Sequence, residues 1–217
     1  MLSEKHRPTT WGQFIGQDAA IELLQAHLDS PDFGKYGGER ILIESAGIAG
    51  IGKTSSAFAI ANHLNIDRYN VERIDSRATG ISDLREIERG MEYFGWGASG
   101  RKLYVLDEIQ DLNRECLKYL LGMLERLPNH VVIVATTTST NWADDIDGLY
   151  SRWSRFRFRK PDAKTVAKHC EKIAETEGLL VPDGFNWLRY VQDLGGNNIR
   201  DAIDQLPTAL RRKAVAA

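Results

Sequence analysis

The chain has 217 residues, with 28 basic side chains against 30 acidic ones and a net charge of -2. That length accommodates one ordinary domain, or a domain with a small appendage. The near-neutral balance excludes a protein that coats nucleic acid through overall basicity, so any such contact must come from a local patch. Apolar residues make up 42% of the chain, which excludes disorder as the main state. No apolar run nears the roughly 18 residues of a membrane-spanning helix. The first residues, MLSEKHRPTTW, are charged and carry no apolar core, so no secretory signal is expected. Cys116 and Cys170 are the only cysteines. They make neither a disulfide framework nor a zinc site, and are expected to be packing residues in a reducing compartment.

In chain order, residues 1–20 read as a lead-in containing Pro8, Gly12 and Gly16. Residues 18–29 place Ala20, Leu23, Leu24 and Leu28 at helical spacing, with Asp18 as the expected N-cap. A polar loop leads to a buried strand at Ile41, Leu42 and Ile43, then to a glycine-rich turn and a helix over 55–65. A second strand is predicted at 71–75, a helix at 81–94 and a third strand at 103–106. An amphipathic helix over 113–126 carries Leu117, Leu120, Leu121 and Leu124 on one face. Strands at 131–135 and 155–158 follow, the latter alternating Phe156 and Phe158 with arginines. Beyond Pro161 the pattern is helical only, in three segments bounded by glycine or proline. The alternation predicts an α/β fold: a mostly parallel five-stranded sheet flanked by helices, followed by a small helical domain.

Gly47, Ile48, Ala49, Gly50, Ile51, Gly52, Lys53 and Thr54 fit G-x-x-x-x-G-K-[ST] without a mismatch, after a strand and at the start of a helix. Glycines let backbone N–H groups curl around phosphate oxygens, and the helix N-terminus adds partial positive charge. Lys53 is expected to reach the β- and γ-phosphates and Thr54 to ligate Mg²⁺, with Ser55 beginning the helix behind them. The third strand ends in Asp107 and Glu108. Asp107 suits a Mg²⁺ ligand, and Glu108, one residue on and pointing to the other side, suits a base that polarises the attacking water.

With these motifs in place the chain resembles the AAA+ clamp-loader ATPases, in particular the bacterial DNA polymerase III clamp-loader ATPase subunits and the small subunits of replication factor C. A phage-type minimal form is among the possibilities. The resemblance runs from about Ser3 to about Leu210. Lys5, His6, Arg7 and Pro8 resemble the family's K-Y-R-P box, with His6 in place of the aromatic, and Phe14, Ile15, Gly16 and Gln17 resemble its I-G-Q segment. The resemblance implies that Arg7, Pro8, Ile15 and Gly16 surround adenine. Thr136 and Thr137 fall at the sensor 1 position; Thr137 is preferred, and Thr138 is one step away. Ser151, Arg152 and Trp153 resemble the Ser-Arg-Cys motif, which implies that Arg152 projects into a neighbouring subunit's site, with Arg155 as a rival. Such a finger is worth roughly 10³–10⁵ in rate. Gly195 to Ala202 resembles sensor 2, which implies that Arg200 reaches the γ-phosphate within its own subunit.

The resemblance implies residues 1–160 as an AAA+ nucleotide-binding domain and 161–217 as a helical lid, with ATP and Mg²⁺ as cofactors. The four-cysteine zinc module of the bacterial subunits is missing, so no zinc is expected. The implied function is an ATPase subunit that opens a sliding clamp and loads it on primed DNA. The implied partners are other ring subunits, the clamp and primer–template DNA, with no membrane. The implied location is the cytoplasm or the nucleoid at the replication fork. Helix starts near 79–82 and 113–114 are candidate DNA contacts. The family usually continues into a helical collar that this chain does not reach. Three readings of that remain open: a truncated or alternatively encoded form, a ring held by weaker contacts, or partner subunits that supply the collar. The alternative functions are another AAA+ DNA-remodelling or helicase-loading ATPase, or a nucleotide-binding structural subunit dependent on partners.

Overall fold

The computed structural model describes residues 1–144, 146–195 and 198–215, with side chains described as far as Arg212. A short helix α1 (Leu2–Lys5) and a 3-10 turn (Trp11–Gln13) precede α2 (Asp18–Leu28). Then come β1 (Glu39–Glu44), α3 (Lys53–His63), β2 (Val71–Asp75), α4 (Ile81–Met91), β3 (Lys102–Asp107), α5 (Arg114–Glu125), β4 (Val131–Thr137) and β5 (Ser154–Arg157). The chain ends in α6 (Ala163–Thr176), α7 (Trp187–Asp193) and α8 (Ile199–Val215).

The five strands lie in the order β2-β3-β4-β1-β5, and every pairing is parallel. Side-chain alternation divides the apolar strand residues between two faces. Ile41, Ile43, Leu103, Val105, Val132 and Val134 pack with α2 and α3 on one face. Leu42, Tyr104, Leu106, Val131, Ile133 and Ala135 pack with α4 and α5 on the other. Continuous Val/Ile/Leu runs are what strands buried on both faces require. A third apolar cluster joins α6, α7 and α8, with Leu2 and Ile15 from the N-terminal segment packed against it.

Two local details differ from the sequence reading. Asp18 is the first residue of α2 rather than its cap; the cap position belongs to Gln17, whose side chain is turned away. The Gln17 amide is used elsewhere: Nε2 donates to Arg159 O at 2.7 Å, and Oε1 accepts from the Arg159 N–H at 2.9 Å. Asp18 still places a negative charge in the first turn, where the helix dipole favours it. In α5 the buried stripe is Cys116, Leu117, Leu120, Met123 and Leu124, with Leu121 at its margin. Trp153, within a segment otherwise rich in arginine, is buried in the α4/α5-side core. Both cysteines are buried, and burial pushes the Cys170 thiol up to about 12.

Leu106 is buried on the strand that delivers Asp107. Leu106→Ala is expected to lower unfolding free energy by about 2–5 kcal/mol, read by chemical denaturation.

Candidate nucleotide site

Parallel pairing fixes where the strand exits lie. Glu44 pairs with Thr137 and Leu106 with Ala135, so the C-terminal ends of β1, β3 and β4 finish level with one another. The chain leaves β1 toward α3 and β2, while β5 lies on the other side of β1. Such a reversal of strand order opens a crevice beyond the carboxyl ends, where α/β folds bind ligands. The loop of residues 45–52 lies in it.

Two glycines of the loop need their lack of a side chain. Gly52 caps α3 at φ +99°, and a Cβ there would lie 3.1 Å from the Phe14 ring. Gly50 has φ +69°, and a Cβ would lie 1.9 Å from Asn198 Oδ1. Asn198 accepts from the Arg200 N–H at 3.0 Å at the start of α8, and the same N–H meets Gly50 O at 3.3 Å. The phosphate-type loop and the last helix are therefore in direct contact. Gly47 opens the loop, with its N–H donating to Thr138 O at 2.8 Å.

Lys53 is buried, and its ammonium donates to Ile48 O at 2.7 Å and to Ser45 Oγ at 3.1 Å. Burial lowers its pKa, and the carboxylates of Glu108 and Asp107 oppose that shift. Thr54 Oγ1 donates to Asp107 Oδ1 at 2.7 Å, and Thr136 Oγ1 donates to the same oxygen at 2.8 Å. Arg73 on β2 donates to Asp107 Oδ2 at 2.6 Å. Burial alone would raise the Asp107 pKa, but these three donors, Arg73 foremost, bring it below its ordinary value.

Glu108 takes a left-handed backbone, φ 52° and ψ 59°, before a 3-10 turn (Ile109–Asp111). For a residue other than glycine this costs on the order of 1–3 kcal/mol. Its N–H donates to Thr136 Oγ1 at 3.0 Å. Glu108 Oε2 accepts from Gln110 Nε2 at 2.6 Å and from Thr138 Oγ1 at 3.2 Å. Thr137 is buried, and its hydroxyl donates to Gln110 Oε1 at 2.7 Å.

One pocket is lined by Gly50, Ile51, Gly52, Lys53, Thr54 and Ser55, by Glu108, by Arg200, and by Arg7, Pro8 and Ile15. His6 and His169 complete the end formed by the N-terminal segment, and His6 Nε2 lies 2.8 Å from Glu177 Oε1. Arg7 is held by Glu4 at 2.6 Å. Gly16 is not in this wall; it packs against Pro161. Asp107 stands behind Thr54, and Thr137 behind Gln110. Arg152 is outside the pocket, on the 3-10 turn Tyr150–Arg152, where it pairs with Glu125 at 2.8 Å. Arg155 lies over the Tyr150 ring, 4.4 Å from its centroid. Gly196 and Asn197 of the sensor 2 segment lie outside the described residues.

Sequence reasoning missed Arg73, Gln110 and Asn198, and preferred Thr137 to Thr136. Alternation along β4 offered one signal, since it sends Thr136 and Thr138 to the same side. The others depend on which strand and helix become neighbours. Away from the pocket, Tyr69, Tyr93, Phe94 and Trp96 are exposed near the opposite, N-terminal ends of β2 and β3. Asn70 holds that loop by two bonds to the Trp96 backbone, at 2.6 and 2.9 Å.

The ATPase family associated with various cellular activities (AAA) matches this chain over residues 45–161. The chain belongs to that family. It is 30% identical over 211 residues to the replication factor C small subunit of Halobacterium salinarum, covering 95% of this chain and 62% of the relative. It is 24% identical to the replication factor C large subunit of Methanosarcina mazei, covering 97% of this chain and 34% of the relative. Among solved structures, RuvB of Thermotoga maritima superposes with a TM-score of 0.73 at 18% identity, covering 93% of this chain and 64% of that one; this likeness is one of fold. The chain thus spans 62% of the small-subunit relative and 34% of the large-subunit one.

Gly50→Ala combines a strained backbone with a collision at Asn198. It is expected to weaken binding of a fluorescent ATP analogue about tenfold or more, with the fold retained by circular dichroism.

Proposed function

We propose that the chain binds and hydrolyses MgATP as a subunit of a DNA sliding-clamp loader. The observation that carries the nucleotide reading is the convergence of Lys53, Thr54, Glu108 and Arg200 on one pocket at the end of β1, with the N-terminal segment closing the other end. Residues 1–160 act as the nucleotide-binding domain and 161–217 as its lid.

The roles follow from the groups available. Loop N–H groups and Lys53 bind the β- and γ-phosphates. A divalent cation suits the donor set, because Thr54 Oγ1 and Asp107 Oδ1 are hard oxygen ligands 2.7 Å apart. Mg²⁺ held there neutralises charge on the phosphate oxygens. Glu108 orients a water and draws its proton. The water oxygen bonds to the γ-phosphorus, the bond from that phosphorus to the β,γ-bridging oxygen breaks, and ADP and inorganic phosphate result. Arg200, on the first turn of α8, senses the γ-phosphate and couples it to the lid. Arg7, Pro8 and Ile15 hold the base.

Arg152 faces away from its own pocket, which suits a finger acting on the next subunit. Its pairing with Glu125 holds it in the meantime. The clamp-loader assignment rests on the likeness to replication factor C subunits along nearly all of this chain. The exposed aromatic side chains at the far end of the sheet supply a surface for a protein partner, and the clamp is the partner that this reading assigns to it. Primer–template DNA and sister subunits complete the assembly. No helix among the described residues is long and apolar enough to cross a membrane, and the assigned location is the replication fork.

Steady-state ATP turnover tests the reading, measured against protein concentration with and without primer–template DNA and clamp. Glu108→Gln is expected to keep ATP binding and lose about 10²–10⁴ in turnover. Lys53→Ala subunits, with an intact finger, are expected to restore turnover when mixed with Arg152→Ala subunits. Two inactive partners that stay inactive together would overturn the finger assignment.

A further inference from the structure

We infer that Gln110 is a positioning residue for hydrolysis, whose amide sets the direction of the Glu108 carboxylate and ties it to Thr137 at the exit of β4. The inference rests on the reading of Glu108 as the group that activates water.

A carboxylate at the end of a strand, on a residue with φ 52°, has its backbone direction fixed but not its side-chain torsions. What fixes them here is the pair of donors on one oxygen. Gln110 Nε2 at 2.6 Å and Thr138 Oγ1 at 3.2 Å both bind Oε2. Among the described residues no donor is paired with Oε1. One oxygen is therefore anchored while the other is left for a water in the pocket that Glu108 lines.

The amide is itself oriented. A glutamine can present either its oxygen or its nitrogen, and its oxygen would repel the carboxylate. The Glu108 carboxylate decides between them, because it only accepts, so the amide nitrogen faces its Oε2 at 2.6 Å. That leaves Gln110 Oε1 to accept from the Thr137 hydroxyl at 2.7 Å, and the Thr137 oxygen in turn accepts the Ser139 N–H at 3.1 Å. Thr137 is buried on a central strand, so the chain Thr137, Gln110, Glu108 runs from a rigid element to the reacting group. Thr137, expected to watch the γ-phosphate directly, thus acts through Gln110.

The test measures single-turnover hydrolysis of ATP beside the Kd of a fluorescent ATP analogue. The variants are Gln110→Met, Thr137→Val, Thr137→Ser and the double Gln110→Met/Thr137→Val. Gln110→Met keeps the side chain's length and removes its hydrogen bonds. It is expected to slow hydrolysis about 10- to 100-fold, as a misdirected catalytic group does, with the Kd within about twofold. Thr137→Val should fall in the same range, Thr137→Ser should recover most of the rate, and the double variant should be no slower than the slower single one. A normal rate in Gln110→Met would overturn the inference. So would a faster rate, because the amide would then be a restraint. A parallel loss of rate and affinity, or additive losses in the double variant, would also overturn it. Glu108→Gln separates the two levels. If it still hydrolyses ATP, the base assignment falls and this inference with it. If it is inactive while Gln110→Met is normal, only this inference falls.

Discussion

Thr54 Oγ1 to Asp107 Oδ1, at 2.7 Å, is the contact on which the arrangement of the site depends. It joins the first turn of α3 to the last residue of β3, two elements that are not neighbours in sequence. β3 does not touch β1 directly; β4 lies between them, and it contributes Thr136 to the same carboxylate oxygen. One oxygen atom thus gathers the exits of two strands and the start of a helix. The parallel register makes this possible, since a one-residue slip would send Thr136 or Asp107 to the opposite face. Arg73 supplies the counter-charge from β2, so four elements meet at one carboxylate.

The same economy holds on the lid side. The cluster of α6, α7 and α8 is completed by Leu2 and Ile15, residues from the other end of the chain. Ser3 reinforces this: its N–H and hydroxyl reach the two carboxylate oxygens of Asp204 at 2.8 and 2.7 Å. Lys5 and His6 both meet Glu177 just after α6. Because residues 7, 8 and 15 line the pocket beside Arg200, a change in the angle of the C-terminal helices must carry part of the pocket wall with it or break these contacts. Two carboxylates therefore hold the N-terminal segment to the lid, while Gln17 holds the next stretch to β5 through Arg159. The short link between Ile15 and Gln17 is where the two attachments meet, and Gly16 stands there at φ +65° against Pro161.

Strand and helix identities were legible because their causes are local. Continuous apolar runs on β1, β3 and β4 encode two buried faces, and glycines at fixed spacing encode a loop. Lys53, Thr54 and Glu108 were singled out from motif spacing and Arg200 from the family resemblance, and they do lie around one pocket. What was not legible is side-chain partnership across elements. Gln110 gave no signal: its approach to Glu108 depends on the left-handed turn at Glu108, which no local pattern announces. The cap position fell to Gln17 rather than Asp18, and the bonds of its amide go to Arg159, far away in sequence. The burial of Trp153 was hidden by the arginines around it, since Arg152 and Arg155 are turned toward Glu125 and Tyr150 while the indole enters the core.

Glu44 shows how such partnerships can join distant parts of the site. It is a buried carboxylate on the last residue of β1, immediately before the loop. Leaving it unpaired would be costly, and burial selects partners that satisfy both oxygens. Tyr150 donates to Oε2 at 2.7 Å, and Arg157 reaches Oε1 through Nε at 3.1 Å and Nη2 at 3.0 Å. Tyr150 belongs to the turn that presents Arg152, and its ring also carries Arg155. The carboxylate therefore anchors that turn to the strand that leads into the phosphate-type loop. A buried carboxylate thus ties the strand that leads into the loop to the turn that carries Arg152.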